Sequence, residues 1–318
     1  MPFLERRSDR GTADALLYEG DAYVPMDGAG LPASLVQAQR RVCGSAECAG
    51  GWTRPWRSRR RPVFEEQWGC SGRCVLAMVR AALRRESGDG LIARAVAPHR
   101  HRVPLGLLML AQGWITQAQL RQALEAQRQN GTGRIGEWLI AECGLEAEQI
   151  TRGLSMQWSC PALSADGFSP DSMAFVMPGI FVEKFGMLPL RIAGARILYL
   201  AFENGLDASA ALAVEQMTGL KCESGILNEV QFAAAQSGLL RCGGVELKVE
   251  EASDVDALAG RITAIVEQKQ PVASRLVRLH QYYWLRLWLE NGTTGKAGSL
   301  PVSGEDMRDY VFTVGPQG

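Results

Sequence analysis

The chain carries no excess of either charge: 34 lysines and arginines face 34 aspartates and glutamates over 318 residues. No global field therefore draws it toward nucleic acid or an anionic membrane, and any electrostatic preference has to be local. It has no apolar run of membrane-spanning length either. The longest, around Val103 to Ile115, is interrupted by Gln112 and falls short of the roughly 20 residues a spanning helix needs. The opening MPFLERRSDRG is charged and lacks the apolar core of a secretory signal, so the expectation is a cytoplasmic protein with no transmembrane segment. Catalytic signatures are absent as well: no HExxH, no dinucleotide fingerprint and no Ser-His-Asp signature. Gly292-Thr293-Thr294-Gly295-Lys296-Ala297 only looks like a phosphate loop, because its glycines are three apart and alanine replaces the magnesium-binding Ser/Thr. The expectation is a protein that is not an enzyme.

What the sequence does have is ordinary globular composition, 47% apolar and 21% charged, in a chain long enough for two or three compact units. It has eight cysteines, too few for a disulfide scaffold of this length. Four of them form two close pairs, Cys43 with Cys48 and Cys70 with Cys74, each spanning a short turn, Gly-Ser-Ala-Glu and Ser-Gly-Arg. Two such knuckles supply the four thiolates of a tetrahedral Zn²⁺ site, and four protein ligands would leave no open catalytic position. Four separate thiols or two disulfides are the other readings. Structural zinc is favoured because a segment this short holds too little apolar content to fold unaided. Cys143, Cys160, Cys222 and Cys242 read as core or surface singles.

Between the two pairs, WTRPWRSRRRPVFEEQW (52–68) interleaves arginines with tryptophans. Such a run, through 54–61, can bind a nucleic-acid backbone and stack on bases. The same pattern also suits a hairpin packed under the knuckles, or docking to a protein surface or acidic groove. A helix over Val75–Arg85 follows, then a Gly- and Pro-containing linker with His99 and His101, read as solvated.

Residues 103–160 repeat with a period of 30. Leu105-Gly106 recurs as Ile135-Gly136, Met109-Leu110 as Leu139-Ile140, and Ile115 as Leu145. Leu120, Leu124 and Gln127 recur as Ile150, Leu154 and Gln157. A duplicated helical hairpin accounts for the apolar positions. It accounts less well for the repeated glycines and glutamines, which add nothing to an apolar core.

This tandem motif resembles that of the MshEN family, the N-terminal domain of type II secretion and type IV pilus assembly ATPases, in which two such motifs bind cyclic di-GMP. The stretch 159–223 resembles the family's continuation, so the likeness spans about 103–240. It implies a nucleotide site at Leu105, Gly106, Gly113 and Gln127 of the first motif and Arg134, Ile135, Gly136 and Gln157 of the second. The first motif departs where the family has a leading arginine, since Pro104 stands there. The second departs at the mid-motif glycine, where Cys143 stands and Gly144 is one place late. The resemblance also implies a protein partner of the secretion or pilus kind.

Beyond the motifs, Met187–Ile192 and Arg196–Ala201 read as strands joined by a tight turn. Leu206–Thr218 reads as a helix capped by Asp207, Lys221–Ile226 as a third strand and Val230–Leu240 as another helix. Residues 254–290 read as helical with a break at Pro271. Within them Leu276–Leu289 is an aromatic-rich helix to be buried against another domain or a partner, with His280 packed rather than ligating.

The expected fold class is α+β: a zinc-ribbon-like N-terminal unit over 40–86 and a helical tandem-motif subdomain over 103–160, then a small α/β subdomain over 161–242 and a C-terminal helix. Residues 1–39 are expected to be disordered or extended and 291–318 a loose tail. The functional reading is a non-catalytic regulator or adaptor that binds cyclic di-GMP. A docking scaffold with a degenerate nucleotide site is the second reading, and a nucleic-acid-binding zinc protein the third.

Overall fold

The computed structural model describes residues 43–48, 62–88, 102–194, 196–203, 205–289 and 304–315. Residues 1–39, the arginine run 54–61, His99, His101 and Gly292–Ala297 lie outside them. The order and classes of the elements make the chain an α+β protein.

Cys43–Cys48 forms a turn, and a two-residue hairpin, β1 (Val63–Phe64) and β2 (Gln67–Trp68), leads into helix α1 (Gly72–Gly88). Four helices follow: α2 (Leu105–Ala111), α3 (Gln117–Asn130), α4 (Ile135–Cys143) and α5 (Ala147–Trp158). α3 shows why the residues form what they form. Strong helix formers fill QAQLRQALEAQRQN, Thr116 and Gln119 make a reciprocal capping box, and Gly131 ends the helix at φ +66°.

Next come two short helices, α6 (Pro170–Met173) and α7 (Gly179–Phe185), and strands β3 (Met187–Ala193) and β4 (Ile197–Phe202). Helix α8 (Ala208–Thr218), strand β5 (Lys221–Ile226) and helix α9 (Glu229–Arg241) complete this part. β3 and β4 pair antiparallel and β4 pairs parallel with β5, as a strand–helix–strand crossover requires. Asp207 is the N-cap of α8, accepting the amide of Ala210 at 2.9 Å.

The remainder corrects the sequence reading. Only Val255–Lys269 (α10) of 254–290 is helical. Leu276–Leu289 is not a helix: β7 (Ala273–Leu279) and β8 (Tyr282–Trp288) form an antiparallel hairpin turning at His280, whose φ is +53°. Nor is 291–318 all tail, because β9 (Met307–Val314) lies inside a four-stranded sheet of order β6-β9-β8-β7, with β6 spanning Glu246–Ala252.

The physical reason lies in which faces are buried. Along β8, Tyr282 and Trp284 enter the core beneath β3–β5, while Tyr283, Leu285 and Leu287 enter a second core with α1 and α10. A strand buried on both sides loses its polar alternation and reads as a continuous apolar run, which periodicity cannot separate from a buried helix.

The four-stranded sheet is therefore a central layer. On one side it meets α7, α8 and the smaller sheet; on the other it meets α1 and α10. Among the described residues the cysteine segment shares its core with the far end of the chain: Phe64, Val75, Val79 and Leu83 pack into the same cluster as Ile262, Leu285 and Phe312. A buried ion pair ties the layers further. Arg286 meets Asp309 through two contacts of 2.8 and 2.7 Å, and its remaining nitrogen donates to the carbonyl oxygens of Phe175 and Val176.

Candidate functional site

The two motifs fall on two equivalent helix pairs, α2–α3 and α4–α5, which share one core. Leu105, Met109, Ile115 and Leu120 of the first meet Leu139, Leu145 and Ile150 of the second. The repeated glycines are what bring the helices of each pair together. A β-carbon on Gly106 would lie 2.5 Å from Leu120 Cδ1, and one on Gly136 3.1 Å from Ile150 Cγ2. Leu120 and Ile150 are themselves 30 residues apart, so the same contact is made twice.

The displaced glycine of the second motif does the work of its counterpart. Gly113 follows α2 at φ +71°, its amide bonded to Leu110 O; Gly144 follows α4 at φ +68°, its amide bonded to Ile140 O. α4 has nine residues where α2 has seven, so the left-handed turn comes later and Cys143 ends a longer helix. The Cys143 thiol is partly buried and points at Gln119 O, 3.5 Å away.

The two glutamines act across the repeat. Gln127, in α3, donates its side-chain amide to Gly133 O at 2.9 Å, just before the second motif. Gln157, in α5, donates to Val103 O at 2.8 Å, just before the first. Positions 103 and 133 are again 30 apart. Each repeat thus fixes the entry to the other's motif helix, a reciprocal arrangement of the kind that marks two-fold pairing.

Arg134 stands at the N-cap of α4 in extended conformation (φ −86°, ψ 150°), and Pro104 holds the same place before α2 (φ −55°, ψ 141°). Proline reproduces the backbone and removes the guanidinium. The Arg134 side chain is half-exposed and lies 3.0 Å from Glu203, 3.5 Å from Glu229 and 3.5 Å from Glu137. Glu203 follows β4 directly and Glu229 opens α9, so this arginine bridges the helical part and the smaller sheet. Leu105 and Gly106 are buried, as is Gly136, whereas Ile135, Gln127 and Gln157 are partly exposed.

Three neighbours escaped the sequence reading. Glu203 and Glu229 lie far along the chain, and nothing in their local pattern links them to Arg134. Arg102 sits in what reads as a solvated linker, yet its guanidinium lies 3.1 Å from the ring centroid of Trp158.

Cys43, Cys48, Cys70 and Cys74 converge: their four sulfurs all lie within 4.8 Å of one another. Cys48–Cys70 is 3.5 Å and Cys70–Cys74 3.4 Å, near the roughly 3.8 Å edge of a tetrahedron with Zn–S bonds of about 2.3 Å. The Cys70 amide donates to Cys43 Sγ at 3.4 Å, which steadies a thiolate. The Ser71 hydroxyl pulls the Cys74 thiol down to about 7, while burial and its neighbouring thiols push Cys70 up to about 12. The donor set, spacing and first-turn position of Cys74 in α1 fit a closed metal site. Among the described residues no helix is long and apolar enough to cross a membrane.

Two helix pairs with interlocked glycines and glutamines, followed by a small α/β sheet, are similar to the N-terminal domain of type II secretion and pilus ATPases. No family model matches the chain. The type IV pilus assembly ATPase PilB of Myxococcus xanthus (strain DK1622) is 32% identical over 136 residues, covering 41% of this chain. The chain spans 23% of the length of that curated relative. Among solved structures, MshE with cyclic di-GMP is 27% identical, covering 43% of this chain and 98% of the other, with a TM-score of 0.35. The N-terminal domain of XpsE is 17% identical, covering 42% and 92%, with a TM-score of 0.30.

Proposed function

We propose that the segment 103–240 is a receptor module for cyclic di-GMP, carried by a cytoplasmic, non-catalytic regulatory or adaptor protein. The observation that carries this reading is the reciprocal repeat. Cyclic di-GMP is itself two-fold, with two guanines and two phosphates, and a receptor made of two interlocked copies of one motif complements it. The resemblance of both motifs to a cyclic di-GMP-binding family supports this ligand class, and the likeness to the type IV pilus assembly ATPase PilB over 136 residues stands beside it. They also support a protein partner of the pilus or secretion kind.

In this reading Arg134 holds a phosphate or lies against a guanine face, and Gln127 and Gln157 act by fixing the backbone before each motif. Glu203, Glu229 and Glu137 keep Arg134 oriented and neutralised until an anion takes their place. Titration calorimetry of the whole chain with cyclic di-GMP, with GTP and ATP as controls, tests it. Arg134→Ala is expected to weaken binding about tenfold or more, and Gln157→Ala by a smaller factor. Unchanged affinity in Arg134→Ala would remove the assignment.

Zinc is proposed at Cys43, Cys48, Cys70 and Cys74 as a structural ion that supplies no chemistry beyond holding the two knuckles together. A second functional reading, a docking scaffold, has its own support: helix packing accounts for Gly106 and Gly136, and three carboxylates already surround Arg134. Absence of dinucleotide binding at high ligand concentration would favour it.

A further inference from the structure

The second repeat presents an arginine at the start of its motif helix and the first presents Pro104, which leaves the two halves of the candidate site unequal in sequence. In space the deficit is made up from two residues upstream. The Arg102 guanidinium lies 3.1 Å from the centroid of Trp158, the last residue of α5. Trp158 follows Gln157, whose side chain grips Val103 O. Arg102 is therefore held at both ends: its backbone neighbour by a glutamine, its side chain by an indole face.

Each arginine is also tied to a residue that follows β4, Arg134 directly and Arg102 through Trp158. Arg134 reaches Glu203 at 3.0 Å, and Gly205, two residues on, lies so close to Trp158 that any side-chain carbon would overlap the ring. Residues two apart are separated by no more than about 7 Å along the chain. Glu203, which holds Arg134, and Gly205, which meets the indole that holds Arg102, therefore lie close together along the chain just past β4. Arg102 is partly exposed, so its donors remain open to a ligand. A guanidinium stacked on an indole keeps its in-plane N–H groups free for a planar or bidentate acceptor, which an ammonium cannot match.

We infer that Arg102, positioned by Trp158, is the anion-binding residue of the first half-site and replaces the arginine missing at position 104. This rests on the reading of 103–240 as a cyclic di-GMP receptor, and it assigns each of the ligand's two phosphates a guanidinium. Arg102 and Arg134 are then equivalent in role though not in register, and Trp158 is the positioning residue of the first as Glu203 is of the second.

The test is calorimetric titration of the full chain with cyclic di-GMP in four forms: unaltered, Arg102→Ala, Arg134→Ala, and Arg102→Ala combined with Pro104→Arg. The inference predicts a loss of about tenfold or more for each single arginine variant. It predicts substantial recovery in the combined variant, where a guanidinium returns at the register the second repeat uses. A merely structural role for Arg102, packing against Trp158, would not be rescued by an arginine at 104. Equal unfolding temperatures of Arg102→Ala and the unaltered chain check that the fold is intact. Normal affinity in Arg102→Ala with loss in Arg134→Ala would overturn the inference and leave the receptor reading standing. Loss in Arg102→Ala without rescue would reduce Arg102 to packing and overturn it too. No binding by the unaltered chain would overturn both.

Discussion

Gly106 and Gly136 occupy the same place in their repeats and face the same partner position, yet their surroundings differ. A methyl group at 106 meets Leu120 Cδ1 at 2.5 Å in a core where Leu120 is 8% exposed; at 136 it meets Ile150 Cγ2 at 3.1 Å. The first contact demands that a packed side chain move, the second a shift of tenths of an ångström. Against this runs the gain from replacing a helical glycine by alanine, about 1 kcal/mol. Gly106→Ala should therefore be destabilising by about 1 kcal/mol, and Gly136→Ala close to neutral. Urea denaturation of the two variants checks the order, and the reverse order would mean the repeats are not packed as described. These glycines were visible in the sequence as a repeated oddity, but their reason was not, because it depends on how closely one helix passes another. The glutamines are similar: the spacing revealed them, while their carbonyl partners at 103 and 133 needed the fold.

At the scale of elements, α10 and β6 show how local signals place a helix that tertiary burial then hides. Asp254 caps α10 through the Ala257 amide at 2.7 Å, and Arg261 holds Glu250 of β6 with two bonds of 2.6 and 2.7 Å. The Arg261 guanidinium lowers the Glu250 carboxyl below its ordinary range, and the Ala257 amide lowers Asp254 likewise. A carboxylate whose folded pKa is depressed adds stability above its unfolded pKa and loses it as pH falls through the folded value. Arg261→Ala should thus cost less than about 1 kcal/mol at neutral pH, since the pair is partly exposed, and less still at an acidic pH where the lowered Glu250 carboxyl takes up its proton. Denaturant unfolding at both pH values tests this. A cost undiminished in acid would show that Arg261 acts through packing instead. The break expected at Pro271 falls just past the end of α10 at Lys269. The β7–β8 hairpin was not legible, because Leu276, Tyr283 and Leu285 face one core while Val277, Tyr282 and Trp284 face the other, leaving no polar rhythm to read.

Across the whole molecule, the cysteine segment and the far end of the chain form one body. Phe64, α1, α10 and the four-stranded sheet share a core, so a metal at Cys43, Cys48, Cys70 and Cys74 would fasten one edge of that core rather than a separate bead. The spacing of the cysteines revealed the candidate ligands. That their helix packs on strands more than 190 residues later has no trace in the local sequence. The account predicts one zinc per chain by elemental analysis, and a fall of several degrees in unfolding temperature when a strong chelator removes it. Metal-free protein with unaltered unfolding would contradict it.

The central claim is that two repeats make a single two-fold receptor, and the stoichiometry of cyclic di-GMP binding tests it most directly. Calorimetric titration of the full chain should give one dinucleotide per chain, with neither GTP nor ATP competing. Two independent sites, one for each repeat, or no saturable binding at all would contradict it.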